Sequence, residues 1–264
     1  ARNTALEASA PHLTSHINVL TTPNNILGIE YCKALLFWKS AMEPYTVKRT
    51  GSSYHDNSLD TGYCSAIAIR ESIRQIPASS LEVIKGAYGK TFPVFTDDLS
   101  LLTQYRLLSE ESDGFTDYPD IDRELSDRIV KFLPQYRDFR SFCDLLKSKN
   151  RTYVRISRSL LHILLGIHRE TLLQYGQEGW IFYARMLGFR ESATPLLSAI
   201  KKNAGIPLLP KLADAEKQLA KTGLSMLEKD IYASHIYQSI VRSKFPDEDP
   251  LSEINEYKKP IIKI

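Results

Sequence analysis

Two groups of residues in this sequence have the types and spacing to do chemistry. The first is a set of amide, hydroxyl and cationic groups in the opening quarter. Thr21, Thr22, Asn24 and Asn25 lie in TTPNNILGIEYCKALLFWK (Thr21–Lys39), just after an extended apolar run, INVL. Lys48 and Arg49 end the alternating segment YTVKR, and Ser65 opens SAIAIRESIRQI with Arg70 a turn and a half further on. In open parallel α/β sheets, ligands sit beyond the carboxyl ends of the strands, where loops enter helices. Helix N-termini there offer N–H groups and a positive dipole end, which suit phosphate. One asparagine can cap a helix by accepting an N–H bond. The other can then offer a donor and an acceptor to a base edge or ribose. The alternative is that both asparagines belong to a turn that binds nothing. Arg49 reads either as a phosphate or carboxylate ligand or as a solvated arginine. Ser65 reads as a cap rather than a catalyst, and Arg70 as a brace for the loop or a phosphate contact. His55, in SSYHDNS, has no fixed nucleophile beside it, and GxSxG, P-loop and metal-ligand patterns are absent from the sequence.

The second group is RTYVRISRSLLHILLGI. Arg151, Arg155, Arg158 and His162 are spaced i, i+4, i+7 and i+11, which places them on one face of one helix. Ile156, Leu160, Ile163 and Leu164 fall largely on the opposite face. Lys147 and Lys149 precede the stretch, and it contains no acid from Leu145 to Ile167. Like charges held close together repel unless something anionic neutralises them. The expectation is therefore a nucleic-acid contact, with a solvated helix face as the plain alternative. Tyr153 could stack on an unpaired base or belong to the core.

These groups need elements to hold them. The first ninety residues alternate strand and helix: a strand at His16–Leu20, a helix at Ile26–Ser40, a strand at Tyr45–Arg49, and a helix from Ser65 that ends before Pro77. That order implies a parallel sheet. From about Thr91 helical periodicity takes over, in 99–110, 121–135, 139–149, 152–167, 194–205 and 212–245. The expected fold is thus α/β plus all-α, with domains at 1–90 and 91–264. The chain has 264 residues, enough for one large domain or two small ones. Its net charge of +3 is unevenly spread. Asp97–Asp138 holds eleven acids against five bases, a net −6, whereas Arg140–Lys202 holds eleven bases against four acids, a net +7. A basic segment in a nearly neutral chain points to a polyanionic partner.

No apolar run approaches 18 residues, so no transmembrane helix and no membrane partner are expected. No secretory signal pattern opens the sequence. Cys32, Cys64 and Cys143 cannot all pair internally, which suits reduced thiols in a cytoplasm, and metal ligation is not suggested.

PNNILGIEYCKALL, TVKRTGSSYHD and SAIAIRESI together resemble the tRNA(Met) cytidine acetate ligases, a nucleotidyltransferase-like family. KNRTYVRISRSLLHILLGI, RMLGFRESATPLLSAIK and DIYASHIYQSIV resemble that family's helical domain, in the same order. The resemblance implies a partial Rossmann-like nucleotidyltransferase domain that holds ATP, followed by an α-helical domain that holds tRNA. It implies activation of acetate as acetyl-adenylate, then transfer to N4 of the wobble cytidine of elongator tRNA(Met). By motif, Asn24 (or Asn25) and Arg49 contact ATP, and Ser65 and Arg70 match a superfamily segment that meets phosphates, although Ile67 stands where that segment has threonine. Mg2+ would accompany ATP, with no ligand evident in the sequence. Lys147, Lys149, Arg151, Arg155, Arg158, Lys201 and Lys202 are the expected RNA contacts.

The family's HNGH-type motif is not in this sequence. The expectation is that the catalytic residues lie upstream and that the chain alone is inactive. Two other readings remain open. One is a nucleotidyltransferase acting on a small phosphorylated substrate, for which the arginine stripe would be dispensable. The other is a non-enzymatic RNA-binding protein.

Overall fold

The computed structural model describes residues 22–47, 68–71, 93–246, 256–257 and 261–264. The chain divides into two compact units, Ala1–Val83 and Ile84–Ile264, where the sequence suggested a division between residues 90 and 91. The residues from 84 to 92 lie outside the described set.

In the first unit, α1 spans Pro23–Phe37. It begins three residues before the expected start because Pro23 suits the first helical position, where its missing N–H is not needed. The expected strand at 16–20 lies outside the described residues, as does most of the helix expected from Ser65. Residues 68–71 are helical. The expected strand at 45–49 is not seen over Tyr45–Val47, and residues 48 and 49 lie outside. An alternating pattern specifies faces, but a strand also needs a hydrogen-bonding neighbour. The expected neighbour, 16–20, lies among the residues not described.

Among the described residues the second unit opens with five helices, the first four of which share one core. They are α2 (Ser100–Glu110), α3 (Arg123–Phe132), α4 (Phe139–Leu146), α5 (Tyr153–Leu165) and α6 (Arg169–Gln177). Leu107 from α2, Leu125 and Ile129 from α3, Phe139, Phe142 and Leu146 from α4, and Ile156, Leu160 and Ile163 from α5 are buried together, with Phe115, Tyr118 and Ile121 from the loop before α3. The helix starts are written in the sequence. Asp122 caps α3 by accepting from the Leu125 N–H at 2.9 Å, and Asp138 caps α4 by accepting from Ser141 at 2.7 Å. Thr152 caps α5.

Beyond α6 the expectation of an all-helical region needs correcting. Two parallel strand pairs occur: β1 (Ala184–Arg185) with β3 (Leu208–Leu209), and β2 (Gly188–Phe189) with β4 (Ile262–Lys263). Each strand is two residues long, too short for an alternating pattern to be legible. Gly188 permits the second pair: a Cβ there would lie 2.8 Å from the Ile262 carbonyl oxygen. The expected run 212–245 is split into a short 3-10 turn (Leu212–Lys217) and the long helix α8 (Lys221–Lys244), while α7 is Thr194–Asn203. Leu209, Leu212, Ala215, Leu219, Leu227 and Ile231 form a second core cluster there. No helix was expected at α6.

The end of α5 ties these parts together. Gly166 closes the helix with φ +60 and ψ 40, the left-handed conformation favoured by glycine. The Lys229 ammonium of α8 donates to the Gly166 carbonyl at 2.8 Å, and the Arg106 Nε of α2 donates to the Ile163 carbonyl at 3.4 Å. Two cations thus meet the negative end of the helix dipole. A side chain at 166 would be strained and would crowd Lys229 Nζ at 3.3 Å. Gly166→Ala is expected to lower unfolding stability by about 1–2 kcal/mol, measured by urea unfolding against the parent chain.

Candidate functional site

In the first unit the site begins at the start of α1. Neither asparagine caps the helix. Thr22 holds the capping position, with φ −107 and ψ 140, and its side chain makes no capping hydrogen bond. Asn24 and Asn25 are the second and third helical residues, and both are exposed. The first helical backbone bond runs from Ile26 N–H to the Thr22 carbonyl at 3.1 Å. Pro23 has no N–H to offer. The N–H groups of Asn24 and Asn25 find no acceptor among the described residues. Among the described residues the helix start therefore presents two N–H groups without an acceptor and two carboxamides, with no acid in the first turn. One turn further along, Gly28, Tyr31, Leu35, Trp38, Met42 and Tyr45 line a largely apolar pocket of about 590 Å³. Arg49 and Ser65 lie outside the described residues. Arg70 is exposed in the helical stretch 68–71.

In the second unit Arg155, Arg158 and His162 lie on α5, whereas Arg151, expected on the same helix face, precedes the cap Thr152 in a tight turn with Ser148, and the charges are not left unopposed. Arg151 is only 6 % exposed. Its Nη1 donates to Glu124 at 2.8 Å, and its Nη2 donates to Glu124 and to both oxygens of Asp122 at 2.9 Å. Arg158 Nε donates to the Asp120 carboxylate at 2.7 Å, and Arg155 Nη2 donates to the Asp120 carbonyl at 3.3 Å. A ring N–H of His162 is bonded to the Pro119 backbone, and burial pushes the imidazole pKa down. Arg169, from the start of α6, closes the set: its Nη2 donates to the carbonyls of Thr116, Tyr118 and Ile121.

The acids come from the segment before α3 and from its first turn, not from α5 itself. Scanning α5 alone for an acid could not find them. The adjacent −6 and +7 stretches of the sequence were the available signal, because these two stretches face one another. The Arg158 guanidinium holds the Asp120 carboxyl below the usual carboxylate range. The Arg151 guanidinium, helped by the Leu125 N–H, does the same for Asp122, and Arg151 does so for Glu124. Arg151 is therefore corrected from an open RNA contact to a buried ion-pair centre. Its fork is spent on two carboxylates, and it lacks the exposure a phosphate contact needs.

The other basic residues are open. Lys147 lies 3.9 Å from Asp144, with both side chains more than half exposed. Lys149 is exposed. Lys201 and Lys202 are exposed in the last turn of α7, where cations suit the helix dipole. Neither forms an ion pair among the described residues. Tyr153 packs partly buried against the core rather than lying open for stacking. Among the described residues no group of three His, Cys, Asp or Glu side chains could hold a metal ion. No helix among them is long and apolar enough to cross a membrane.

Comparison with known proteins adds the family. The profile described as HIGH Nucleotidyl Transferase matches residues 1–250. A protein named tRNA(Met) cytidine acetate ligase from Clostridium novyi is 31% identical over 241 residues, covering 88% of this chain and 58% of that protein. Its namesake from Thermosipho melanesiensis is 30% identical over 287 residues, covering 99% of this chain and 66% of that protein. The crystal structure of apo TmcAL from Thermotoga maritima superposes with a TM-score of 0.81 at 23% identity, over all of this chain and 66% of that one. The same protein bound with alpha-thio ATP gives a TM-score of 0.72 at 24% identity, over 93% of this chain and 61% of that one. These structures share the fold of this chain. The chain spans between 55% and 66% of the length of the relatives it matches.

The geometry around Arg151 sets a pH dependence. Asp122 and Glu124 have folded pKa values below their unfolded ones. Their contribution is therefore present above the unfolded carboxyl pKa and is lost as pH falls through the folded value. Arg151→Met is expected to cost about 1–3 kcal/mol at pH 7. The gap from the parent should hold steady down to about pH 5 and narrow below about pH 4. Urea unfolding of both proteins across that range measures it.

Proposed function

We propose that the whole protein of which this chain, a member of the HIGH Nucleotidyl Transferase family, forms part activates acetate with ATP and transfers the acetyl group to N4 of the wobble cytidine in elongator tRNA(Met). One observation carries this reading. Relatives named tRNA(Met) cytidine acetate ligase match this chain at about 30% identity along nearly its whole length. Because the chain spans only part of their length, the activity of the whole protein belongs to the proposal.

The chemistry has two steps. An acetate oxygen attacks the α-phosphorus of ATP, the bond to the bridging oxygen breaks, and pyrophosphate leaves. The cytidine N4 then attacks the carbonyl carbon of acetyl-adenylate. AMP leaves, and N4 gives up a proton. Both steps build negative charge that oriented N–H groups and cations stabilise.

The start of α1 is suited to the nucleotide. Its two unaccepted N–H groups and the Asn24 and Asn25 carboxamides offer donors to phosphate or ribose oxygens. Arg49, Ser65 and Arg70 complete the proposed nucleotide contacts, with Mg2+ accompanying ATP. The tRNA surface takes the open cations Lys147, Lys149, Lys201 and Lys202, with Arg155 and Arg158 beside them, while Arg151 is reserved for structure. The same reading puts its work in the cytoplasm, where ATP and tRNA are found together.

The deciding experiment supplies the protein, in the longest form its gene encodes, with ATP, radiolabelled acetate and total tRNA. Label in a single tRNA species is the expected result. ATP consumption on a small substrate with no label in tRNA would overturn the reading. Two measurements test its parts. Asn24→Ala and Asn25→Ala should each weaken ATP binding by about 5- to 30-fold, read by calorimetric titration, as expected when one nucleotide hydrogen bond is lost. Lys201→Glu with Lys202→Glu should weaken tRNA binding and flatten the salt dependence of log K by about two.

A further inference from the structure

Two guanidinium groups on α5, those of Arg155 and Arg158, face the segment at Asp120, and one carboxylate answers them. Asp120 Oδ2 accepts from Arg158 at 2.7 Å, and its carbonyl accepts from Arg155 at 3.3 Å. The neighbouring acids are already committed. Asp122 is held by Arg151 and the Leu125 N–H, and Glu124 is held by Arg151. The cluster is undersupplied with acceptors. The Nε of Arg155, a donor in every protonation state, is buried without a hydrogen-bond partner. A buried guanidinium N–H with nothing to donate to is costly and suits a further anionic oxygen. Asp120 is also held in a disfavoured backbone conformation, with φ +63. Its partner Arg158 is about half exposed, so a second anion can reach it from solvent.

We propose that the Asp120 carboxylate is a built-in competitor for an RNA phosphate at Arg155 and Arg158. In the free protein Asp120 occupies the anion seat. In the complex a phosphodiester of the tRNA takes that seat, and its second free oxygen supplies the acceptor that Arg155 Nε lacks. The carboxylate thereby lowers affinity for nucleic acid in general. Only an RNA that also engages the open lysines binds well enough to displace it. This inference rests on the proposal that the protein holds tRNA.

The test compares the parent chain with Asp120→Asn and Asp120→Gly in filter binding of total tRNA over a salt series. Asparagine keeps the shape and tolerates the left-handed backbone. Glycine adopts that backbone without strain, so a folded neutral variant is available by either route. Each neutral variant should bind about 3- to 10-fold tighter at about 0.1 M salt, with a salt dependence steeper by about one phosphate contact. Adding Arg158→Gln to Asp120→Asn should remove the gain. Parent-like or weaker binding by both neutral variants would sink the inference while leaving the tRNA reading intact. If neither the parent nor any variant binds tRNA, the tRNA reading fails and the inference fails with it.

Discussion

The second unit depends on where the charge of Arg151 goes. A guanidinium that is almost fully buried must have its donors satisfied, and here the partners are Asp122 and Glu124 at the start of α3. That pairing fixes α3 against the start of α5. Asp122 does two jobs in the arrangement, capping α3 and accepting from Arg151. Arg169 extends the same logic by collecting three carbonyls of the turn from Thr116 to Ile121. Phe115, Tyr118 and Ile121 are carried into the core by that turn. The charged layer and the apolar layer of the unit are therefore two sides of one loop.

The division of labour among the basic residues follows. Cations near the acidic turn hold the fold, and cations away from it stay open. Lys201 and Lys202 project from the end of α7, and Lys147 and Lys149 flank the tight turn into α5, where Arg151 N–H bonds back to the Ser148 carbonyl at 3.1 Å. Arg155 and Arg158 lie between these roles, partly exposed and partly answered by Asp120. A helix face that looks uniformly basic in sequence is thus graded in space. The gradient runs from a buried ion pair at Arg151 to a half-exposed one at Arg158.

The start of α1 offers a different kind of chemistry. Pro23 at the first helical position removes one N–H, and Thr22 leaves its capping bond unmade. The N–H groups of Asn24 and Asn25 then have no acceptor among the described residues. Two adjacent asparagines are useful there because both stand in the first turn and neither is consumed as a cap. A helix start of this kind suits an anionic ligand, as the proposed nucleotide contact requires.

The sequence by itself determined the local elements whose signals are short-range. The apolar period indicated α1 but set its start three residues late, and Asp122, Asp138, Thr152 and Gly166 bounded α3, α4 and α5. It also carried the family, because motifs are contiguous stretches of chain. It did not determine α6 or the two-residue strands, whose patterns are too short or too weak to read. Nor could it say that Asn24 lies inside the helix, since one-residue shifts at a helix start leave the composition unchanged. Only the tertiary structure decided that the stripe of Arg151, Arg155 and Arg158 meets acids. Those acids lie some thirty residues earlier in the chain, and charge pairing across that separation depends on how α3 and α5 pack, which helical periodicity does not encode.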